Sequence, residues 1–294
     1  MVVFLKNALE IYIFCAIIVL SDRMLEKPFY KDFRWFFNNK TRYTMSNCAI
    51  ILAGGEGKRM KSDKPKPMSL VLEKPMLQWV ISALKKAGVD DICVVKGYHK
   101  EYIEEFLDTL DFPVESVYQS ERLGTGHAVM MAKDFLERHS GNVVILNGDA
   151  PFMTAETIEN SLRQHTAAGC SATVISAELD DASGYGRIVR DENGNLSAIV
   201  EHKDADEETL KIKEVNSGGY WFDCQRLLGV LGKIKSDNKA GEYYLPDALK
   251  LLLQEGDTVG AYTAECSDAV LGANDPEQLE ELNRIAKAKG YTCD

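Results

Sequence analysis

Two hydrophobic rhythms alternate along this chain from residue 48 onward. Short unbroken apolar runs, closed by glycine or polar residues, exchange with stretches where apolar residues recur every three or four positions. The run at 49–52 is bounded by glycine and reads as a buried parallel strand. Residues 76–87 place apolar side chains at 77, 80, 81 and 84 and stop at Gly88, which predicts a helix. The pattern then predicts a strand at 91–95, a helix at 100–110, a strand at 114–118, a helix at 126–139 and a strand at 142–146. This alternation implies an α/β fold, a mostly parallel sheet with helices on both faces. The second half is more mixed. Strands are expected at 172–177 and 186–189, and Asn193-Gly194 joins 187–190 to 196–200 as a hairpin. Residues 203–214 are mostly charged and read as a solvated loop or short helix. Amphipathic helices are expected at 247–254 and 276–288. No internal repeat or low-complexity linker divides the chain.

The chemistry begins where the first strand ends. Leu52-Ala53-Gly54-Gly55-Glu56-Gly57-Lys58-Arg59-Met60 is a glycine-rich turn carrying two cations, and Lys64-Pro65-Lys66-Pro67 adds a stiff basic segment. Glycines let main-chain N–H groups approach phosphates, and Arg and Lys neutralise them. A tight turn with no ligand is the alternative reading. Walker A requires Ser or Thr after Gly-Lys, and Arg59 stands there; the dinucleotide fingerprint requires a third glycine where Met60 stands. The loop therefore belongs to neither class. Asp149 follows the apolar strand at 142–146 through Asn147-Gly148, a place suited to holding Mg²⁺, or to capping a turn before Pro151. In open α/β sheets ligands sit beyond the carboxyl ends of strands, and both motifs fall there.

Composition narrows the class. Of 294 residues, 45% are hydrophobic and 27% charged, as in a soluble globular protein, and the formal net charge of -11 argues against nucleic acid as a partner. Seven cysteines show no Cys-x-x-Cys or Cys/His spacing, so zinc has no support and a reducing cytoplasm is the expected location. Residues 1–44 differ from the rest: they are net basic, with a ten-residue apolar run at 11–20, where a spanning helix needs about twenty. They are expected to be a poorly packed extension or the product of a misassigned start, with the domain running from 45 to 294; a weak membrane-surface or partner-binding appendage is the other reading. Stable membrane insertion is not expected.

The turn at 52–60 and the following Pro65-Lys66 resemble the signature of sugar-1-phosphate nucleotidylyltransferases. Further motifs follow in order: Gln119 with Leu123-Gly124-Thr125-Gly126-His127-Ala128, Asn147-Gly148-Asp149-x-Pro151, Gly184-Tyr185-Gly186-Arg187-Ile188, and Ile199-Val200-Glu201-His202-Lys203-Asp204-Ala205. Glu214-Val215-Asn216-Ser217-Gly218, Gly241-Glu242-Tyr243-Tyr244-Leu245-x-Asp247 and Gly272-Ala273-Asn274 complete the set. Over about residues 46–290 this order resembles the N-acetylglucosamine-1-phosphate uridylyltransferases, the pyrophosphorylase half of a bifunctional bacterial enzyme. The resemblance implies a nucleotide-diphospho-sugar transferase fold with a small β-rich sugar-binding part, and UTP and a sugar-1-phosphate as substrates.

It also implies residue roles. Leu52, Ala53, Gly54 and Gly55 would hold the nucleotide through main-chain groups, and Gln119, Gly124 and Thr125 would hold the uracil. Asp149 and Asn274 would ligate Mg²⁺, Arg59 and Lys66 would stabilise the triphosphate, and Gly186, Glu201 and Asn216 would grip the sugar. Read without the resemblance, Glu201 and Asn216 look like surface or turn residues and Asn274 like the cap of the helix at 276. Two departures stand out. Glu56 sits where the family usually has a basic or small residue, which puts a negative charge near the triphosphate, and Pro246 replaces a commoner Thr. The hexapeptide-repeat β-helix that carries acetyl transfer and trimerisation in the bifunctional enzyme has no counterpart in these 294 residues, so neither property is expected from them. Other sugar-1-phosphates, glucose or N-acetylgalactosamine, and a catalytically silent UDP-sugar sensor are the competing readings.

Overall fold

In the computed structural model, which describes residues 47–293, the first apolar run forms strand β1 (Cys48–Ala53). The expected extension at 1–44 lies outside the described residues. A two-stranded ribbon, β2 (Leu70–Val71) and β3 (Lys74–Pro75), leads into helix α1 (Met76–Lys86). The chain continues through β4 (Asp91–Lys96), α2 (Lys100–Leu107), β5 (Glu115–Tyr118), α3 (Thr125–Met131), α4 (Lys133–Leu136) and β6 (Asn142–Asn147). Next come α5 (Ala155–Ala167), β7 (Ala172–Glu178), the hairpin β8 (Arg187–Arg190) and β9 (Leu196–Val200), α6 (Glu207–Leu210), and the ten-residue β10 (Glu214–Asp223). Helices α7 (Cys224–Leu231) and α8 (Pro246–Gln254), strand β11 (Val259–Thr263) and helix α9 (Pro276–Lys289) complete it.

The central sheet runs β11-β7-β10-β6-β1-β4-β5, with β8 and β9 joined to it through β10. Strand β1 pairs in parallel with both β4 and β6, β4 with β5, and β7 with β11; β10 alone on this path runs against its neighbours β6 and β7. The expected mostly parallel sheet is therefore present. Alternate residues of β1 serve opposite faces, as a pleated strand requires. Cys48 and Ile50 join Val129, Phe135, Leu227 and Leu249 in one core, while Ala49 and Ile51 join Leu77, Leu84, Ile103 and Ile158 in another. Helices thus cover both faces. A third apolar cluster binds α9 to the ribbon and α1 through Val71, Met76, Trp79, Leu282 and Ala286. Among the described residues no helix is long and apolar enough to cross a membrane.

Several boundaries differ from the sequence reading. The helix expected over 126–139 is two helices, broken at Ala132, whose N–H bonds the Val129 carbonyl three residues back at 3.0 Å and tightens the turn. The helix expected over 100–110 ends at Leu107. Strands β10 and β11 and helices α5 and α7 were not anticipated as such. Helix α5 shows few apolar residues along its length, and β10 carries Gly218-Gly219 at a bulge between Asn216 and Gly219, which masks its period.

Candidate active site

The loops after β1 and β6 meet at the carboxyl edge of the sheet. Strand β1 has β4 on one side and β6 on the other, so the chain reverses its strand order here, which is where open α/β sheets leave a crevice. Gly148 N–H donates to the Leu52 carbonyl at 2.9 Å and ties the two loops together. Over them opens a cavity of about 560 Å³, lined among others by Gly54, Gly55, Arg59, Lys66, Asp149 and Asn274. Leu52, Gln119, Gly124 and Thr125 line it as well. Ala53 does not reach the cavity with its side chain, which is 1% exposed and packed in the core.

Lys66 lies at the centre of the site. Pro65 is extended and Lys66–Met68 is a single 3₁₀ turn, so the prolines on either side hold this backbone as the sequence suggested. The Lys66 ammonium donates to Asn274 Oδ1 at 2.8 Å and pairs with the Asp149 carboxylate. Asn274 is oriented by Gln278, whose Oε1 accepts from both its N–H and its Nδ2, at 2.8 and 3.0 Å; the amide oxygen is thereby turned toward the cation. Neither Asn274 nor Asp149 is a helix cap: Asp275 caps α9 and Thr154 caps α5. The two oxygen donors proposed for a metal therefore already converge on a positive charge. This hard, all-oxygen pair fits Mg²⁺, which is commonly held by one or two protein groups with substrate phosphates and water completing its shell.

The side of the cavity lined by Gln119, Gly124 and Thr125 is built by a loop clamp. Gly126 N–H donates to the Tyr243 carbonyl and Tyr243 N–H to the Leu123 carbonyl, both at 2.7 Å; the Thr125 hydroxyl accepts from Leu245 N–H at 3.0 Å. Gly124 has φ +103°, and a Cβ there would lie 2.6 Å from the Tyr243 carbonyl oxygen, so both conformation and space require glycine. Gln119, 5% exposed, donates from Nε2 to the Gly124 carbonyl at 3.2 Å and to His127 Nδ1 at 3.0 Å. Its Oε1 remains an acceptor and sits against Gly54, where a Cβ would be 2.9 Å away. Arg59 lines the cavity and is exposed. Glu56, flagged for its negative charge, is paired with Arg122 at 2.7 Å, and the Arg122 guanidinium lies 5.6 Å from the Tyr98 ring centroid. Its charge is thus locally balanced.

A second cavity of about 420 Å³ adjoins the first, sharing Leu52, Thr125, Asn147 and Tyr244 in its walls. Glu201 and Asn216 line it. Both are half-buried, Glu201 just past the end of β9 and Asn216 within β10, rather than the surface or turn residues that local reading suggested. Asn216 Nδ2 donates to the Tyr220 hydroxyl at 2.8 Å, and its Oδ1 accepts from Gly218 N–H at 2.9 Å. Burial, then the nearby charges of Asp204 and Asp247, push the Glu201 carboxyl above the ordinary range. Gly186 stands between the two: a Cβ on it would lie 3.2 Å from Glu201 Oε1 and 3.6 Å from Asn216 Cβ. The site residues expected from sequence therefore form two adjoining groups. Asn147, Glu242 and Tyr244 also line them; all three stand inside quoted motifs but had been given no role.

Comparison with known proteins gives the family. The family described as nucleotidyl transferase matches residues 48–268. "Bifunctional protein GlmU" of Exiguobacterium sibiricum is 46% identical over 237 residues, covering 81% of this chain and 52% of that protein. The protein of the same name from Clostridium beijerinckii is 46% identical over 243 residues, covering 83% and 52%. This chain thus spans about half the length of these relatives. A solved structure of UDP-glucose pyrophosphorylase complexed with UDP-glucose shares the fold, with a TM-score of 0.69 at 18% identity over 84% of this chain and 100% of that one. With a family match across most of its length, a close relation to two bacterial proteins and the loop architecture described above, this chain belongs to the nucleotidyl transferase family.

Proposed function

We propose that this chain transfers UMP from UTP to N-acetylglucosamine-1-phosphate, giving UDP-N-acetylglucosamine and pyrophosphate. The observation that carries the reading is the Lys66 ammonium held between Asp149 and Asn274, at the floor of one cavity and beside a second. The first cavity suits a nucleoside triphosphate. The Gln119 acceptor fits a base with a ring N–H at its Watson–Crick edge, as uracil has at N3, where cytosine has an acceptor instead. The second cavity, lined by Glu201 and Asn216 with Gly186 packed against both, suits a polyhydroxylated sugar.

Both substrates are anions, so their encounter is unfavourable until the site supplies positive charge. A phosphate oxygen of the sugar phosphate attacks the α-phosphorus of UTP, and pyrophosphate leaves in line. Lys66 and Arg59 place cations where negative charge develops, and the main-chain groups of Gly54 and Gly55 approach the phosphates. Divalent metal is general in this family. Asp149 and Asn274 would hold Mg²⁺, which when bound neutralises triphosphate charge. No covalent intermediate is needed and no cysteine is called upon. The cytoplasm, where UTP is abundant, is the expected setting.

The test is pyrophosphate release by the full chain from UTP and Mg²⁺ with a panel of sugar-1-phosphates. Fast release with N-acetylglucosamine-1-phosphate supports the reading. Faster release with glucose- or N-acetylgalactosamine-1-phosphate reassigns the sugar. A folded chain that binds UDP-sugar but releases no pyrophosphate with any of them is a sensor. Asp149→Ala should abolish Mg²⁺-dependent turnover; retained turnover would remove Asp149 from the metal site.

A further inference from the structure

Arg187 is a cation out of place. It is 2% exposed, yet it enters none of the ion pairs among the described residues. Its Nη1 donates to the Tyr185 carbonyl, its Nη2 to the Leu210 carbonyl at 3.5 Å, and its Nε has no partner. Asp181 acts on it only through longer-range attraction, and burying a guanidinium with no carboxylate in contact costs stability that an apolar side chain of similar size would not. The reason for an arginine must lie in the two carbonyls it holds.

Those carbonyls belong to two segments beside the second cavity. Tyr185 lies between Gly184, which lines that cavity, and Gly186. Leu210 ends α6, in the excursion that begins with His202, Lys203 and Asp204 in the cavity wall. The Tyr185 carbonyl and the Gly186 N–H share one peptide unit, and in a trans peptide these groups point in opposite directions. With the carbonyl drawn to Arg187, the Gly186 N–H faces away from the guanidinium. It donates to nothing among the described residues, while the Gly186 carbonyl accepts from Asn216 N–H at 2.9 Å. The result is a spare donor, fixed in direction, on a glycine packed between Glu201 and Asn216.

We propose that Arg187 is a positioning residue for sugar recognition, orienting the Tyr185–Gly186 peptide so that Gly186 N–H is presented to the sugar phosphate. The inference rests on the nucleotidyltransfer reading above. Lysine at this position keeps the charge but cannot span two carbonyls as a planar fork does.

The experiment compares wild type with Arg187→Lys and Arg187→Met in steady-state kinetics, varying UTP and N-acetylglucosamine-1-phosphate separately. It also follows the Gly186 amide by ¹⁵N NMR on addition of UDP-N-acetylglucosamine. Loss of one oriented hydrogen bond predicts about a tenfold rise in KM for the sugar phosphate, with KM for UTP and kcat within about twofold. The Gly186 amide should shift in wild type and shift less in both variants, and lysine should restore part of the affinity that methionine loses. If Arg187→Met does not fold, Arg187→Lys carries the comparison. An active wild type whose Arg187→Lys variant keeps the wild-type KM for sugar phosphate, or raises both KM values equally, overturns this inference alone. A wild type that releases no pyrophosphate with any sugar phosphate overturns the functional reading, and this one with it.

Discussion

At the scale of single residues, one ammonium organises the site. Lys66 is the counter-charge of Asp149 and the partner of Asn274, although the three are far apart in sequence. Its Pro-Lys-Pro setting made it visible beforehand; its partners were visible only through motif order. On the proposed role, in which the cation acts where charge develops in the transition state, Lys66→Ala is expected to lower kcat by about 10²–10³-fold with a smaller change in KM for UTP. Steady-state kinetics would check this, and near-normal turnover would remove Lys66 from that role. Glu201 shows the opposite balance. Its folded pKa lies above its unfolded one, chiefly through burial. The native state therefore holds its proton longer, and the ionised carboxylate weakens the fold as pH rises through that window. Glu201→Gln should be more stable than wild type at pH 7, lose that advantage in acid, and bind sugar phosphate more weakly. Thermal melts at both pH values and a sugar-phosphate KM would show whether stability and recognition oppose each other here. Nothing local announced this: in the run Glu201-His202-Lys203-Asp204 the residue looks like part of a solvated face.

At the scale of elements, the site depends on loops clamped to one another rather than on any one strand. The Gly124–Gly126 turn is pinned to 243–245 by backbone bonds and by Thr125. Gly124→Ala would meet the Tyr243 carbonyl and adopt a left-handed φ unfavourable for alanine. It is expected to cost about 2 kcal/mol of stability and to raise KM for UTP more than KM for sugar phosphate. Denaturation and paired KM measurements would check both; an unchanged UTP KM would show that the clamp does not shape the base pocket. Elements with clean periods were legible from the chain: β1, β4, β6, α1 and the hairpin around Asn193-Gly194. Strand β10 was not, because its bulge at Asn216 and Gly219 breaks the alternation that marks a strand. Asn216, at one end of that bulge, lines the second cavity.

At the scale of the whole molecule, a buried histidine links the sheet to its covering helix. His165 of α5 bonds Thr173 of β7 at 2.9 Å and Asn142 of β6 at 3.1 Å. Burial lowers its pKa from 6.5 to about 4, so the neutral ring is part of the fold. The stability it confers is present above about pH 6.5 and is lost as pH falls toward 4, because the unfolded chain then binds a proton that the native state refuses. The full effect is about 3 kcal/mol. Urea unfolding of wild type and His165→Gln between pH 7 and 4.5 would check the sign: wild type should lose stability more steeply. Among the described residues, Cys48, Cys93, Cys224 and Cys293 are similarly internal. Burial pushes the Cys93 thiol up to about 12, and Cys48 and Cys224 face each other within the core, while Cys170 and Cys266 are partly exposed; no described cysteine lines either cavity, so thiol reagents should leave turnover unchanged.

The sequence by itself determined the fold class, the glycine-rich loop and its cations, and the placing of both chemical motifs at the carboxyl ends of strands. Those follow from short-range rules: apolar period, turn chemistry and the behaviour of Gly and Pro. Only the tertiary structure decided which distant groups share charge and which face a cavity. Lys66 meets Asn274 because α9 packs onto the ribbon and α1, Glu56 is balanced by Arg122, and Arg187 holds two carbonyls beside one cavity. These are long-range contacts, fixed by how the sheet orders its strands and how the helices cover it, and neighbouring residues carry no trace of them.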